Sequence, residues 1–288
     1  MMLTRRRFLT IAAAASACPA AAQVEIWRGR ALGADVTLRL SGKADPAGRL
    51  WRRIERQLRQ IEAQVSLFAD SDLARLNTHG HLDRPGSDML ALLRLSDALH
   101  EATAGTFDPT VQPLWQAVRE GRNADSVRAL TGWHRVRFDT RRVTLERGMA
   151  LTFNGVAQGL AADRLAMLLR DAGYRDVLID AGEVQALGRA RTRDWQAAIA
   201  GPDGAPLHRV SLRDRALATS SPMGTRIGHD QPHILHPDGR PPLWRTVSVS
   251  ANSAALADGL STAFCLMTRA EIAAALVRFP EARVEFLG

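Results

Sequence analysis

The chain has 288 residues, of which 46% are hydrophobic and 24% charged, the usual balance of a globular protein. This composition excludes a long disordered chain, a collagen-like chain and a disulfide-stapled scaffold. The 38 lysines and arginines outnumber the 30 acids, giving a net charge of +8, and the positive charges other than those of Arg5, Arg6 and Arg7 are spread along the chain without a basic run. The charge therefore gives no case for nucleic-acid binding, although it would attract an anionic ligand.

The N-terminus has the parts of an export signal. Residues 4–10 read TRRRFLT, and the apolar run that follows is shorter than the ~20 residues that span a bilayer. The pair Arg5-Arg6 is similar to the twin-arginine signal, and AAA before Gln23 offers an A-x-A cleavage site. We expect residues 1–22 to be a twin-arginine signal peptide and residues 23–288 to be a periplasmic domain. An ordinary N-terminal helix is the alternative.

The two cysteines limit the chemistry. The residues before Cys18 lack the leading aliphatic residue of a lipobox, which argues against a lipid anchor there. Cleavage after residue 22 leaves Cys265 as the one remaining cysteine. A single cysteine forms no internal disulfide, so a CxxC redox mechanism is excluded.

Hydrophobic periodicity predicts a mixture of strands and helices along the mature chain. Strands are predicted at 27–40 (with Gly33 as a bulge or a point of close approach to a ligand), 136–138, 143–145, 150–153, 177–179, 195–199, 210–212, 216–219, 246–249 and 283–286. Helices are predicted at 47–65, 87–104, 158–172, 254–267 and 269–278. Because strands and helices do not alternate strictly, the pattern favours an α+β fold in one unit.

Three segments combine polar residues with glycine or proline. In AGTFDPTVQPLW, residues 104–115, two prolines predict an extended loop that presents Asp108 and Thr110. In LTFNGVAQGLAAD, residues 151–163, a strand turns through Gly155 into a helix, where backbone groups can approach a phosphate or a cation. An ordinary Asp-Pro turn and a simple strand-to-helix turn are the alternatives.

The third segment, AALADGLSTAFCL at residues 254–266, predicts a helix with three oxygen-bearing side chains on one face. Asp258, Ser261 and Thr262 stand at positions i, i+3 and i+4. One carboxylate with hydroxyl and carbonyl oxygens suits a hard cation such as Mg²⁺. In the alternative, the hydroxyls bond back to the helix and Asp258 is a surface acid.

Histidines cluster in HDQPHILHPDGRPP. His229, His233 and His236 have spacings of four and three, but Pro232 and Pro237 forbid the regular helix that a zinc site would need. A single histidine acting as a general base fits better, since an unperturbed pKa near ~6.5 suits that task.

Taken together and in this order, these segments resemble the ApbE family, the FAD:protein FMN transferases. The matching pieces are ALGADVTL, VSLFADSDLARLN, AGTFDPTVQPLW, LTFNGVAQGLAAD, DAGEVQALG, ATSSPMG, HILHPDGRP and SANSAALADGLSTAF. The resemblance implies a single α+β unit with mixed or antiparallel β-sheet flanked by helices. It also implies Mg²⁺-dependent cleavage of FAD, transfer of FMN to a threonine or serine hydroxyl of an acceptor protein, and release of AMP.

The resemblance assigns roles to individual residues. Asp258 and Thr262 supply metal oxygens, the position of Gly155 adds a backbone carbonyl, and His233 matches the histidine proposed as the base. The implied flavin contacts are Leu32, Phe68, Thr106, Phe107, Asp108, Thr152, Gln158 and Leu235.

This sequence departs from the family pattern at four of its positions. Phe68 stands where the family often has tyrosine, so flavin stacking survives without the hydroxyl. Thr152 replaces a common aspartate, Gln158 replaces a charged residue, and His236 stands where aspartate is usual. These changes concern the flavin orientation and the transfer efficiency more than flavin binding itself.

The acceptor lies on another chain, so its target motif is not in this sequence. The twin-arginine start and RGRALGADVTL look like the branch linked to nitrous-oxide reductase maturation, which implies a membrane-bound electron-transfer partner. Two other functions stay open. An FAD pyrophosphatase would give FMN and AMP, with water replacing the acceptor hydroxyl, and a non-catalytic assembly factor would only bind FAD.

Overall fold

The computed structural model describes residues 9–10, 24–41, 48–67 and 70–288. The strands are β1 (Leu9–Thr10), β2 (Val24–Ala31), β3 (Ala34–Ser41), β4 (His81–Asp83), β5 (Arg137–Phe138), β6 (Arg142–Thr144), β7 (Asp176–Asp180), β8 (Val184–Leu187), β9 (Trp195–Ala200), β10 (Pro206–Leu212), β11 (Ala216–Ser220), β12 (Arg226–Ile227), β13 (Gln231–Pro232), β14 (Val247–Ala251) and β15 (Arg283–Leu287). The helices are α1 (Arg49–Val65), α2 (Asp72–His79), α3 (Ser87–Ala102), α4 (Gln112–Arg119), α5 (Asp125–Arg128), α6 (Ala157–Asp171), α7 (Ala254–Phe264) and α8 (Arg269–Leu276). Short 3₁₀ turns occur at Pro109–Val111 and Trp133–Arg135.

A seven-stranded sheet in the order β15-β14-β11-β8-β7-β3-β2 forms the centre of the fold. Every neighbouring pair in it is antiparallel. Alternate side chains of its strands pack on opposite faces, as the two-residue period of a strand requires. Val177 and Ile179 of β7 join the core under the helices, whereas Leu178 joins a second core with residues of β9 and β10.

Helices α1, α6 and α7 cover one face of the sheet. In α1 the buried residues Leu50, Ile54, Leu58, Ile61 and Val65 form one stripe, with arginines on the exposed side. Among the described residues, no helix is both long and apolar enough to cross a membrane. The α+β prediction is confirmed: helices flank a large antiparallel sheet.

Two of the predicted strands are wrong. The strand predicted at 27–40 is a hairpin, because Leu32 (φ 50°) and Gly33 (φ 75°) make a two-residue turn between β2 and β3. The segment 150–153 is not a strand. Its Leu151 exchanges both backbone hydrogen bonds with the side chain of Asn77, at 2.7 and 2.9 Å.

Other elements were not predicted, or end earlier than predicted. Helix α2 and strand β8 were not predicted from the sequence, and α7 ends at Phe264 rather than at residue 267. The extended loop predicted for residues 104–115 instead contains a 3₁₀ turn and the start of α4. Most of the predicted signal peptide lies outside the described residues, of which only Leu9–Thr10 belong to it.

Candidate active site

A cavity of about 290 Å³ opens at one end of the central sheet. The β2–β3 turn, the β7–β8 turn and the end of β11 meet there with the starts of α4 and α6 and with α7. All but one of the site residues predicted from the sequence line this cavity: Leu32, Thr106, Phe107, Asp108, Thr152, Gly155, Gln158, His233, Leu235, Asp258 and Thr262. The exception, Phe68, lies outside the described residues.

The β2–β3 turn puts Leu32 at the cavity wall. Positive φ is uncommon for a leucine, and here a tertiary contact holds it. The backbone N–H of Leu32 donates a 2.7 Å hydrogen bond to the Glu62 carboxylate of α1. The turn is therefore fixed against the helix layer.

Asp108 organises the segment that enters α4. Its Oδ1 accepts hydrogen bonds from the backbone N–H of Thr110 (2.8 Å) and from the Thr110 hydroxyl (2.5 Å), and its Oδ2 accepts one from the Trp133 N–H (3.2 Å). The backbone N–H of Thr152 donates to Pro109 O at 2.9 Å, which ties this segment to the one before α6. The Asp108 carboxylate thus shapes the cavity wall.

Helices α6 and α7 approach closely because Gly159 has no side chain. A Cβ at Gly159 would lie 2.4 Å from the Ala254 carbonyl oxygen. One turn earlier, a Cβ at Gly155 would lie 3.1 Å from Thr262 Oγ1, which is tighter than ordinary contact. The lack of a side chain at these two glycines brings the turn before α6 against the polar face of α7.

The residues around Gly155 and α7 fit a hard cation. The Asp258 side chain is only 3% exposed yet lines the cavity, so it is not a surface acid. Its neighbours there, Thr262 Oγ1 and the Gly155 backbone, offer oxygen donors, the ligands that Mg²⁺ prefers. Within the described residues, no group of three His, Cys, Asp or Glu side chains could hold a metal. Asp258 would supply a carboxylate ligand to such a cation, with hydroxyl, carbonyl and substrate oxygens completing the set.

The loop around β13 fixes the tautomer of His233. Its Nδ1 lies 2.8 Å from Pro222 O and 3.1 Å from Thr225 O. Both partners are carbonyl oxygens and only accept, so Nδ1 carries the proton in the neutral ring. The lone pair then lies on Nε2, which is the atom that can take a proton.

His236, three residues later, lies in a different place. It is 3% exposed and lines a second cavity of about 220 Å³, which shares Asp108 with the first. Its Nδ1 accepts from the Asp238 N–H at 3.0 Å, and the Arg240 guanidinium lies 2.7 Å from its Nε2. Burial, followed by the nearby Arg240 charge, lowers the pKa of His236, so the ring is kept neutral.

The cavity also has lining residues to which the sequence analysis assigned no role. Glu183 is the last residue of the β7–β8 turn, is 6% exposed and accepts a 3.3 Å hydrogen bond from the Thr219 N–H. Ser220 ends β11, and Trp115 donates its indole N–H to His233 O at 3.1 Å. Glu183 lies in DAGEVQALG and Ser220 lies in ATSSPMG. Both segments contributed to the family resemblance, and this was the signal in the sequence that could have identified the two residues.

The antiparallel sheet, its helices and the cavity define the class: an α+β protein with a substrate-sized cavity at one end of its sheet. Residues 32–286 match the model of the ApbE family, so the chain belongs to the ApbE family. The family resemblance found in the sequence is thereby confirmed. No curated protein matches the chain at a significant level.

Solved structures with a similar fold carry ApbE names. The flavin transferase ApbE from Vibrio cholerae is 23% identical, with a TM-score of 0.78 over 88% of this chain and 91% of that one. The Pseudomonas stutzeri flavinyl transferase ApbE, in its apo form, is 27% identical, with a TM-score of 0.77 over 89% of each chain. The ApbE protein from Thermotoga maritima is 24% identical, with a TM-score of 0.79 over 91% and 93% of the two chains.

Proposed function

We propose that the chain transfers FMN from FAD to a threonine or serine hydroxyl of an acceptor protein, in a Mg²⁺-dependent reaction that releases AMP. As a member of the ApbE family, the chain is a flavin transferase with FAD as its flavin donor. The details of the proposed reaction rest on one observation: a single cavity is lined by His233, Asp258, Thr262 and Gly155. These residues supply a base and cation ligands, which are the groups that pyrophosphate cleavage requires.

The reaction balances without a redox step. The acceptor hydroxyl oxygen forms a bond to the phosphorus of the FMN half, and the bond from that phosphorus to the bridging oxygen breaks. The hydroxyl proton goes to the base, and AMP leaves with the bridging oxygen and the electron pair of the broken bond. The product is an FMN phosphoester on the acceptor side chain.

His233 is the residue for the base. Because two carbonyls hold the proton on Nδ1, the basic lone pair of the neutral ring is on Nε2. General-base catalysis needs this atom within hydrogen-bonding distance of the acceptor hydroxyl. The Trp115 indole and Pro222 O, which bond to the backbone of His233, keep the loop in place at 3.1 and 3.0 Å.

Asp258, Thr262 and the Gly155 carbonyl are the residues that would hold Mg²⁺. A bound Mg²⁺ neutralises charge on the pyrophosphate and so favours departure of AMP. The apolar wall of Leu32, Ile234 and Leu235 suits the flavin ring system, and the polar end of the cavity at α7 suits the phosphates.

One incubation distinguishes transfer from the two alternative functions. The chain is mixed with FAD, Mg²⁺ and candidate electron-transfer proteins, and the products are analysed by mass spectrometry and chromatography. Covalent FMN on one threonine or serine, with one AMP released, supports the proposal. FMN and AMP free in solution indicate a pyrophosphatase, and unchanged FAD indicates a binding protein. Either of these last two results overturns transfer.

We also propose that the protein is exported by the twin-arginine route and acts in the periplasm on an electron-transfer partner. The support is the TRRRFLT run followed by an A-x-A boundary. Changing Arg5 and Arg6 together to lysine should retain precursor in the cytoplasm, as fractionation and immunoblotting would show. Undiminished export of this double variant would remove the proposal.

A further inference from the structure

Three hydroxyl groups form a chain between β11 and α7. Ser220 Oγ lies 2.8 Å from Ser261 Oγ and 3.3 Å from Thr262 Oγ1. Ser261 Oγ in turn lies 3.1 Å from the backbone carbonyl oxygen of Asp258. Ser220 is 9% exposed, and Ser261 is fully buried. This series of hydroxyl groups therefore connects the Thr262 side chain, a proposed cation ligand, to the backbone carbonyl of Asp258 through groups that are shielded from water.

The number of protons available fixes which hydroxyl group donates in each of these hydrogen bonds. Each hydroxyl has one proton to donate, and a carbonyl oxygen only accepts. Ser261 therefore donates to Asp258 O, which leaves Ser220 as the donor to Ser261. With its own proton used, Ser220 accepts at the remaining contact, so Thr262 is the donor there. The Thr262 proton thus points towards Ser220.

We propose that Ser220 is a positioning residue for the cation site: by accepting the Thr262 proton, it directs the Thr262 oxygen lone pairs towards the cation. A hydroxyl ligates a cation through a lone pair, so a proton on that side would block binding. Outer partners that orient a ligand in this way typically change metal affinity by ~10–100-fold. This inference rests on the proposed function, which places a cation at Asp258 and Thr262.

The backbone at Ser220 suits a fixed acceptor. Ser220 pairs with Val247 in the central sheet, and the Cys265 thiol lies 3.6 Å from its carbonyl oxygen. A position on a paired strand keeps the hydroxyl in place better than a position on a loop would.

The test uses the full chain and Mn²⁺ as the probe, with binding followed by loss of the free-ion electron paramagnetic resonance signal. Ser220→Ala should weaken Mn²⁺ binding by ~10-fold or more. Ser220→Thr keeps a hydroxyl and should restore most of the affinity. The matched control is Ser221→Ala, which removes a neighbouring hydroxyl that bonds instead to Thr246 Oγ1 at 2.9 Å. It should bind Mn²⁺ like the unmodified chain.

A second background separates positioning from general destabilisation. In Thr262→Val the ligand itself is absent, so adding Ser220→Ala should cause no further loss of Mn²⁺ affinity. A Ser220→Ala protein with unchanged affinity, or a loss of equal size in both backgrounds, overturns the inference and leaves the cation site standing. If the unmodified chain binds no Mn²⁺, the cation site fails and the inference fails with it. FMN transfer is then judged separately, by the product analysis.

Discussion

Asp163 of α6 and Ser253, the residue before α7, are joined by a 2.7 Å hydrogen bond from the Ser253 hydroxyl to the Asp163 carboxylate. The same carboxylate accepts the backbone N–H groups of Ala254 at 2.8 Å and Ala255 at 3.0 Å. These N–H groups have no partner within α7, and a negative charge at a helix N-terminus is favourable. A side chain of α6 thus holds the start of the helix that carries the proposed cation ligands.

Asp163→Ala should lower the free energy of unfolding by about 2 kcal/mol, because it leaves buried donors without their acceptor. Asp163→Asn keeps one acceptor oxygen and should lose less. Since burial raises the pKa of Asp163, removing its charge also removes a desolvation cost. Urea titration measures the effect. Asp171→Ala, an exposed change on the same helix, is the control, and equal loss in both alanine variants contradicts the capping role.

Asp258→Asn should fold normally and lose FMN transfer at low Mg²⁺, with partial recovery at high Mg²⁺. The amide has the shape of the carboxylate but neutralises no charge, so cation affinity falls steeply. Transfer rates measured across a Mg²⁺ series, together with the melting temperature, check this outcome. If the Asp258→Asn variant, assayed without added metal, transfers FMN as fast as the unmodified enzyme, Asp258 is not a cation ligand.

His233→Ala should bind FAD nearly normally but flavinylate its acceptor ~10²–10⁴-fold more slowly, because the proposed general base is lost. FAD binding is measured by quenching of flavin fluorescence, and transfer by mass spectrometry of the acceptor. His236→Ala should have a milder effect on transfer, because His236 lines the second cavity rather than the active-site cavity. Transfer at the normal rate by His233→Ala would place the base elsewhere.

The buried His236 should make stability depend on pH in one direction. Its pKa is lowered in the folded protein, so the unfolded chain takes up this proton first as the pH falls below ~6.5. The free energy of unfolding should therefore be retained above that pH and decrease below it. Urea titrations at about pH 7.5 and 5.5 should show a smaller decrease for His236→Gln. Equal decreases in the two proteins would show that His236 does not contribute.

The sequence by itself determined the helices with a clear hydrophobic period. In α1 five apolar residues recur at helical spacing, and burial of that stripe is what stabilises the helix. The alternation of apolar and polar residues did not predict the β2–β3 hairpin, because the alternation continues across its two-residue turn. It also failed at Leu151, where the side chain of Asn77, 74 residues earlier, provides the hydrogen bonds that a neighbouring strand would provide in a sheet.

The sequence by itself also indicated eleven of the residues that line the cavity, because motif composition carried the family resemblance. Only the tertiary structure decided which contacts those residues make there. His233 and His236 are three positions apart yet lie at different cavities, and Ser220 reaches α7 across 41 positions. The physical reason is that hydrogen-bond direction and burial depend on atoms brought together by folding, which local spacing along the chain does not encode.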